Sequence, residues 1–280
     1  MNEFTARYTD DLTARRLIDR LFEAGQKLPD RLRDQLLEAG GATGRALIAL
    51  LEDRRLRFKS APGGGWVPIH ATNLLGERRE PAAVEPLIEV VKEADINDLI
   101  HSRAVFALQK MGRPAMEPVL QTIHAEPDAP SSRALAEVLC ELDVKDERIL
   151  DVLLDIFDDD PALGASYLAS YGDAAALEVI HDLFATLKPQ VIDPFANHVF
   201  IELAAAIEAL GGELTDHERA KLNRANQIRR QVAQVVFGAE AELTSHPDEA
   251  DELGGDEPCW CGSGTKYKNC HGAPDRGAHP

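Results

Sequence analysis

Along most of the chain, apolar residues recur at spacings of three and four, the period of an α-helix with one buried face. Leu12, Leu17, Ile18, Leu21 and Phe22 form the first such stripe. Leu32, Leu36, Leu37, Leu47, Ile48 and Leu51 continue it across a break at Gly40-Gly41. Pro62-Gly63-Gly64-Gly65 then interrupts the pattern as a flexible turn. The prediction is an N-terminal helical region over 1–61, followed by a new arrangement.

From about Ile69 the chain repeats itself. Ala82-Ala83-Val84-Glu85-Pro86-Leu87 corresponds to Pro114-Ala115-Met116-Glu117-Pro118-Val119, 32 residues later. Ser102-Arg103-Ala104 returns as Ser132-Arg133-Ala134 after 30 residues, and Met111-Gly112 as Tyr171-Gly172 after 60. A further copy runs from Asn197 through Leu210-Gly211. A period near this length marks stacked supersecondary units. In the second unit Val105, Phe106 and Leu108 lie on one helical stretch and Val119, Leu120 and Ile123 on the next, with Gly112-Arg113-Pro114 between them. Gly suits the end of one helix and Pro the first turn of the next. A hairpin of this kind cannot bury both faces alone and must stack on its neighbours.

A last helix is expected to start at Thr215, which pairs with Glu218 as a capping box. Ala225, Ile228, Val232 and Val235 then step along one face, while Arg219, Lys221, Arg224, Arg229 and Arg230 make it the most basic stretch of the body. Residues 239–257 change character, with eight acidic residues and neither Lys nor Arg. Such a segment repels itself and is too polar to build a core.

The repeat units, clearest in HATNLLGERREPAAVEPLIEVV, resemble HEAT-like repeats of the phycobilisome-lyase type over roughly residues 69–211. The resemblance implies an α-solenoid with a curved binding surface and names no ligand. The expected fold class is all-α, a solenoid of helical hairpins over 66–237. An acidic flexible linker over 238–257, a zinc-binding module over 258–272 and a disordered tail over 273–280 would follow.

Composition sharpens this picture. Among the 280 residues, 44% are hydrophobic and only 5% aromatic, a balance that favours helices over sheets. With 48 acidic against 30 basic residues, the formal net charge is -18. That charge repels phosphate backbones and anionic membranes, so nucleic acid is not an expected partner. No apolar run is long enough to span a bilayer, and Met1-Asn2-Glu3-Phe4 does not open a secretion signal. A cytoplasmic, thiol-reducing location is therefore expected.

The chemistry lies at the end of the chain. Cys259, Cys261, Cys270 and His271 put three thiols and one imidazole within 13 residues. That donor set suits one tetrahedral zinc ion. Gly262 and Gly264 suit the turn between the two ligand pairs, and Trp260 and Tyr267 supply apolar cover. A disulfide would leave one of the clustered thiols odd, and an unfolded tail would leave a complete ligand set idle. Catalytic zinc is disfavoured because four protein ligands leave no open position for water. At these residues the sequence resembles the SEC-C motif, known from the C-terminus of the SecA preprotein translocase ATPase. The pattern Cys-x-Cys-Gly-Ser-Gly-x-x-Tyr-Lys-x-Cys-His is matched at every position. The resemblance implies one structural zinc on those four residues and a docking role toward partners such as the SecB chaperone or the ribosome. No nucleotide-binding Gly-x-x-x-x-Gly-Lys-Ser/Thr loop accompanies it.

Other residues read as structural. Lys266, Tyr267 and Lys268 form either a partner-contacting basic loop or a solvated one. Cys140 has no His or Lys beside it in sequence and reads as a buried thiol. His70 and His101 lack the adjacent Glu that a di-iron site of HEAT-like hydroxylases would use, and His217-Glu218 fits a helix start. Asp158-Asp159-Asp160 reads as a helix end and the cap of the next helix at Pro161. Gly63-Gly64-Gly65 lacks the Lys-Ser/Thr of a phosphate cradle. The expected function is a non-enzymatic adaptor that engages a protein through both a helical groove and the zinc module. The alternatives are a ribosome- or RNA-associated factor using the basic module, and a lyase-like enzyme by fold analogy.

Overall fold

A computed structural model describes residues 5–191, 193 and 195–237. Among them lie thirteen α-helices joined by short turns, and no strand. The first three are α1 (Leu12–Glu23), α2 (Asp30–Glu38) and α3 (Gly41–Glu52). The hairpins follow as α4 (Trp66–Arg78) with α5 (Val84–Glu93), and α6 (Leu99–Met111) with α7 (Arg113–Ala125). Next come α8 (Pro130–Cys140) with α9 (Glu147–Asp159), and α10 (Pro161–Tyr171) with α11 (Leu177–Thr186). The chain continues through α12 (His198–Ala209) and α13 (Asp216–Phe237). The fold class read from the repeats, an all-α solenoid, is the one observed.

Local chemistry sets the boundaries. The Asp11 carboxylate accepts from the Ala14 N–H at 2.8 Å and starts α1. Asp160 ends the acidic run after α9, and its side chain accepts from the Leu163 N–H at 3.2 Å to start α10, with Pro161 in the first turn. Gly112, with φ 66°, joins α6 to α7, as the Gly-Arg-Pro turn predicts. The third unit lacks that turn, and Asp143 supplies the reversal in the left-handed region at φ 54°. Asp is among the non-glycine residues that tolerate this conformation best. Thr215 and Glu218 form the expected capping box: the Glu218 carboxylate accepts from the Thr215 N–H at 2.7 Å. The Thr215 hydroxyl accepts in turn from the Glu218 N–H at 3.3 Å.

Two compact units divide the chain, Met1–Ala225 and Asn226–Pro280. Within the first, α4 packs on α3 and α6, α6 on α8, α8 on α10, and α10 on α12, forming one row. The partners pack against that row, α5 on α6, α7 on α8, α9 on α10 and α11 on α12. One continuous apolar core runs through this unit, from Ile18 in α1 to Ile207 in α12. Phe184 and Phe200 meet edge-on within it, their ring centroids 5.5 Å apart. Two helix crossings are close enough to require glycine. A Cβ on Gly76 would fall 2.8 Å from Ala107 Cα, between α4 and α6. One on Gly164 would fall 2.6 Å from the Phe157 nitrogen, between α10 and α9.

The N-terminal helices belong to this same unit and are tied to the array by polar contacts. Arg78, at the end of α4, donates through Nη1 to the carbonyls of Leu36, Leu37 and Ala39 at 2.7, 2.8 and 2.9 Å. It thereby satisfies carbonyls that the end of α2 leaves without intrahelical partners. His70 Nε2 lies 2.8 Å from the Gly25 carbonyl, binding α4 to the turn after α1. The linker over 238–257, the zinc module over 258–272 and the tail over 273–280 lie outside the described residues.

Candidate functional site

Among the described residues, no group of three or more His, Cys, Asp or Glu side chains comes together in a way that could hold a metal ion. His70 and His101 sit on adjacent helices of the array, each only 6% exposed. Burial pushes the His70 ring below its ordinary pKa, against the raising effect of the Gly25 carbonyl. Its hydrogen bond is spent on the backbone, which is a structural role. Cys140 is a buried free thiol whose S–H donates to the Ala136 carbonyl at 3.2 Å. Burial pushes it up to about 12, so it carries almost no thiolate at neutral pH and is a poor nucleophile.

A second polar cluster holds the start of α13. His181 Nδ1 lies 2.8 Å from the buried Glu218 carboxylate. Burial alone would raise Glu218, but the His181 ring and the Thr215 N–H and hydroxyl outweigh it and hold the carboxyl below its usual range. Lys221 donates to the Phe184 and Ala185 carbonyls at the end of α11. These contacts hold the two helices together.

Among the described residues, space for a ligand is found beside the short 3₁₀ turn Arg54–Arg57, between α3 and α5. Two cavities adjoin there, and both are lined by Arg57 and Glu93. The larger, about 360 Å³, also carries Glu52, Glu85 and Glu89, so four carboxylates face Arg54 and Arg57. The smaller, about 260 Å³, has an apolar floor of Pro68, Ile69, Ala94 and Ile100, with Leu99 and Asp98 beside them. Leu99 is 42% exposed, and Phe58, directly after the 3₁₀ turn, is 65% exposed. Arg57 is only 21% exposed, and its one ion pair, to Glu93, is 3.7 Å long. Its Nε–H is buried without an acceptor. Glu93 also engages Arg54. Helical periodicity did not point to these residues, because they come from several elements and Arg54, Arg57, Ala94 and Asp98 sit outside the α-helices. The one signal in the sequence is the Arg54-Arg55-Leu56-Arg57 run between two apolar stretches.

The motif residues Cys259, Cys261, Cys270 and His271, and the loop Lys266, Tyr267 and Lys268, lie outside the described residues. Comparison with known proteins bears on them directly. Residues 257–273 match the SEC-C motif family. Part of the chain is 58% identical, over 36 residues, to the protein translocase subunit SecA of Pseudomonas putida strain F1. That alignment covers 12% of this chain and 4% of that protein. The subunit SecA of Burkholderia pseudomallei strain 1106a is 38% identical over 80 residues, covering 25% of this chain and 9% of that protein. The chain therefore shares a short C-terminal segment with these relatives and spans a small fraction of their length. No helix among the described residues is long and apolar enough to cross a membrane.

Proposed function

We propose that this protein is a non-enzymatic docking adaptor, with a HEAT-like helical array as its body and a zinc-stabilised SEC-C module as a second contact. The observation that carries the reading is the match of residues 257–273 to the SEC-C motif on a chain whose described residues form an α-helical array. The donor set fits the metal: three thiolates and one imidazole complete a tetrahedral zinc sphere. Cys259, Cys261, Cys270 and His271 would hold the ion, whose chemistry is to close and stabilise a small fold. With all four positions taken by protein, the site supports recognition and has no open position for catalysis. Two linked contacts raise avidity through effective concentration, which suits an adaptor with two separated binding elements.

Metal analysis of the purified, reduced chain is expected to give one zinc per molecule. A strong chelator should remove it while the far-ultraviolet dichroism of the helical body stays unchanged. Affinity capture with the intact protein beside a Cys259→Ala, Cys270→Ala variant is expected to recover a protein partner only with the intact motif. A metal-free chain, or a partner indifferent to both substitutions, would refute the reading.

A further inference from the structure

The paired cavities beside the Arg54–Arg57 turn have the features of a peptide-binding site. Arg57 lines both and makes no hydrogen bond, although most of its side chain is buried. A guanidinium in that position ordinarily finds acceptors, because an unsatisfied buried donor is costly. The acceptor it lacks is not an anion. Carboxylates outnumber guanidiniums in both cavities, and Glu52 and Glu85 have no ion pair of their own to offset them. A neutral carbonyl meets both conditions, since it accepts from Arg57 without adding negative charge.

The side-chain preferences follow from the walls. The acidic cavity favours a cation, and the unpaired Glu52 and Glu85 are its natural partners. The floor of Pro68, Ile69, Ala94 and Ile100 favours an apolar side chain, and its volume of about 260 Å³ suits a single one. The exposed Leu99 extends this apolar surface at the rim, where a lone exposed apolar group would otherwise meet water. In an extended peptide, residues two apart face the same side, about 7 Å from each other. We propose that this groove binds an extended segment of a partner protein with the pattern Lys/Arg-x-Leu/Ile/Phe. The cation lies in the acidic cavity, the apolar side chain in the neighbouring one, and a backbone carbonyl between them accepts from Arg57. This deepens the adaptor reading by naming the chemistry of the segment that the helical body would hold.

The test uses the full-length protein and a fluorescein-labelled probe, acetyl-Ser-Arg-Ser-Leu-Ser-Gly-amide, followed by fluorescence anisotropy. Saturable binding is expected that weakens with added salt, since the cation contributes through charge. Probes with Arg replaced by Glu or Leu replaced by Ser should bind at least several-fold more weakly. On the protein, Glu85→Gln and Leu99→Ser lie on the surface and leave the core untouched. Each is expected to weaken the probe about threefold, the scale of one exposed charge or rim contact. Binding of the Glu probe equal to that of the Arg probe, or no saturable binding at all, would overturn the assignment. Affinity unchanged in both protein variants would do the same. The adaptor reading is judged separately, by zinc content and by dependence on Cys259 and Cys270, so either can fail without the other.

Discussion

Replacing Gly164 with Ala adds one methyl group where α10 crosses α9. Its new Cβ would lie 2.6 Å from the Phe157 nitrogen and 2.7 Å from Phe157 Cβ, against ordinary carbon contacts near 3.5 to 4 Å. Two effects oppose each other. Ala inside a helix is better than Gly by about 1 kcal/mol. Overpacking a well-filled crossing costs about 1–3 kcal/mol, and more where the neighbour cannot yield. Here the obstructing atoms are the backbone and Cβ of a fully buried residue, so relief requires α9 and α10 to separate by most of an ångström. The overpacking term wins, and the net loss should be about 2 kcal/mol or more. Urea titration followed by helical dichroism measures it, with Gly41→Ala as a control. At Gly41, in the first turn of α3, the nearest atom to a new Cβ is Arg45 Nη1 at 3.6 Å. The control should match or slightly exceed the parent in midpoint. A Gly164→Ala protein as stable as the control would show that the crossing is looser than described, and the argument would fail.

Three further outcomes follow from the same geometry. Arg79 caps α4 in the left-handed region at φ 49° with its side chain exposed, so Arg79→Gly should raise stability by about 0.5–1 kcal/mol in the same titration. Arg78→Ala leaves the Leu36, Leu37 and Ala39 carbonyls without their donor and should cost about 2–3 kcal/mol, read as a lowered melting temperature. Asp53 is lowered to about 2, chiefly by its hydrogen bond from Arg55, against the raising effect of burial and with help from the Tyr8 hydroxyl. Because its folded pKa is depressed, the stabilisation is complete above its unfolded value of roughly 4 and is lost as pH falls toward 2. The gap in melting temperature between the parent and Asp53→Asn should therefore close between pH 4 and pH 2, and a gap constant across that range would contradict the assignment.

The parts of the molecule that were legible in the sequence were governed by local rules. Gly112 and the Asp158-Asp159-Asp160-Pro161 run each specify a helix boundary through backbone angle or capping, and the boundaries fall there. Thr215 and Glu218 lie three residues apart, so their reciprocal cap is visible in one turn of sequence. The Cys and His spacing near the C-terminus is equally local, and the family match falls on it. The remainder depends on distance along the chain. Arg78 reaches carbonyls 39 to 42 residues away, and His181 meets Glu218 across 37 residues. The need for glycine at Gly164 arises from a neighbouring helix. The cavities beside Arg57 draw their walls from five separate elements, α3, the Arg54–Arg57 turn, α4, α5 and α6, so no single stretch of sequence displays them.

The polar ties between the first helices and the array bear on how the protein can be dissected. A fragment starting after the glycine turn would keep every repeat yet uncover Val67, Ala71, Leu74 and Leu75, all fully or almost fully buried in the intact chain. It would also leave His70 and Arg78 facing solvent with no carbonyl to hold. Such a piece should express poorly and self-associate. Residues 5–62 thus pack on α4 as part of the same folded body, and trimming experiments should leave them in place.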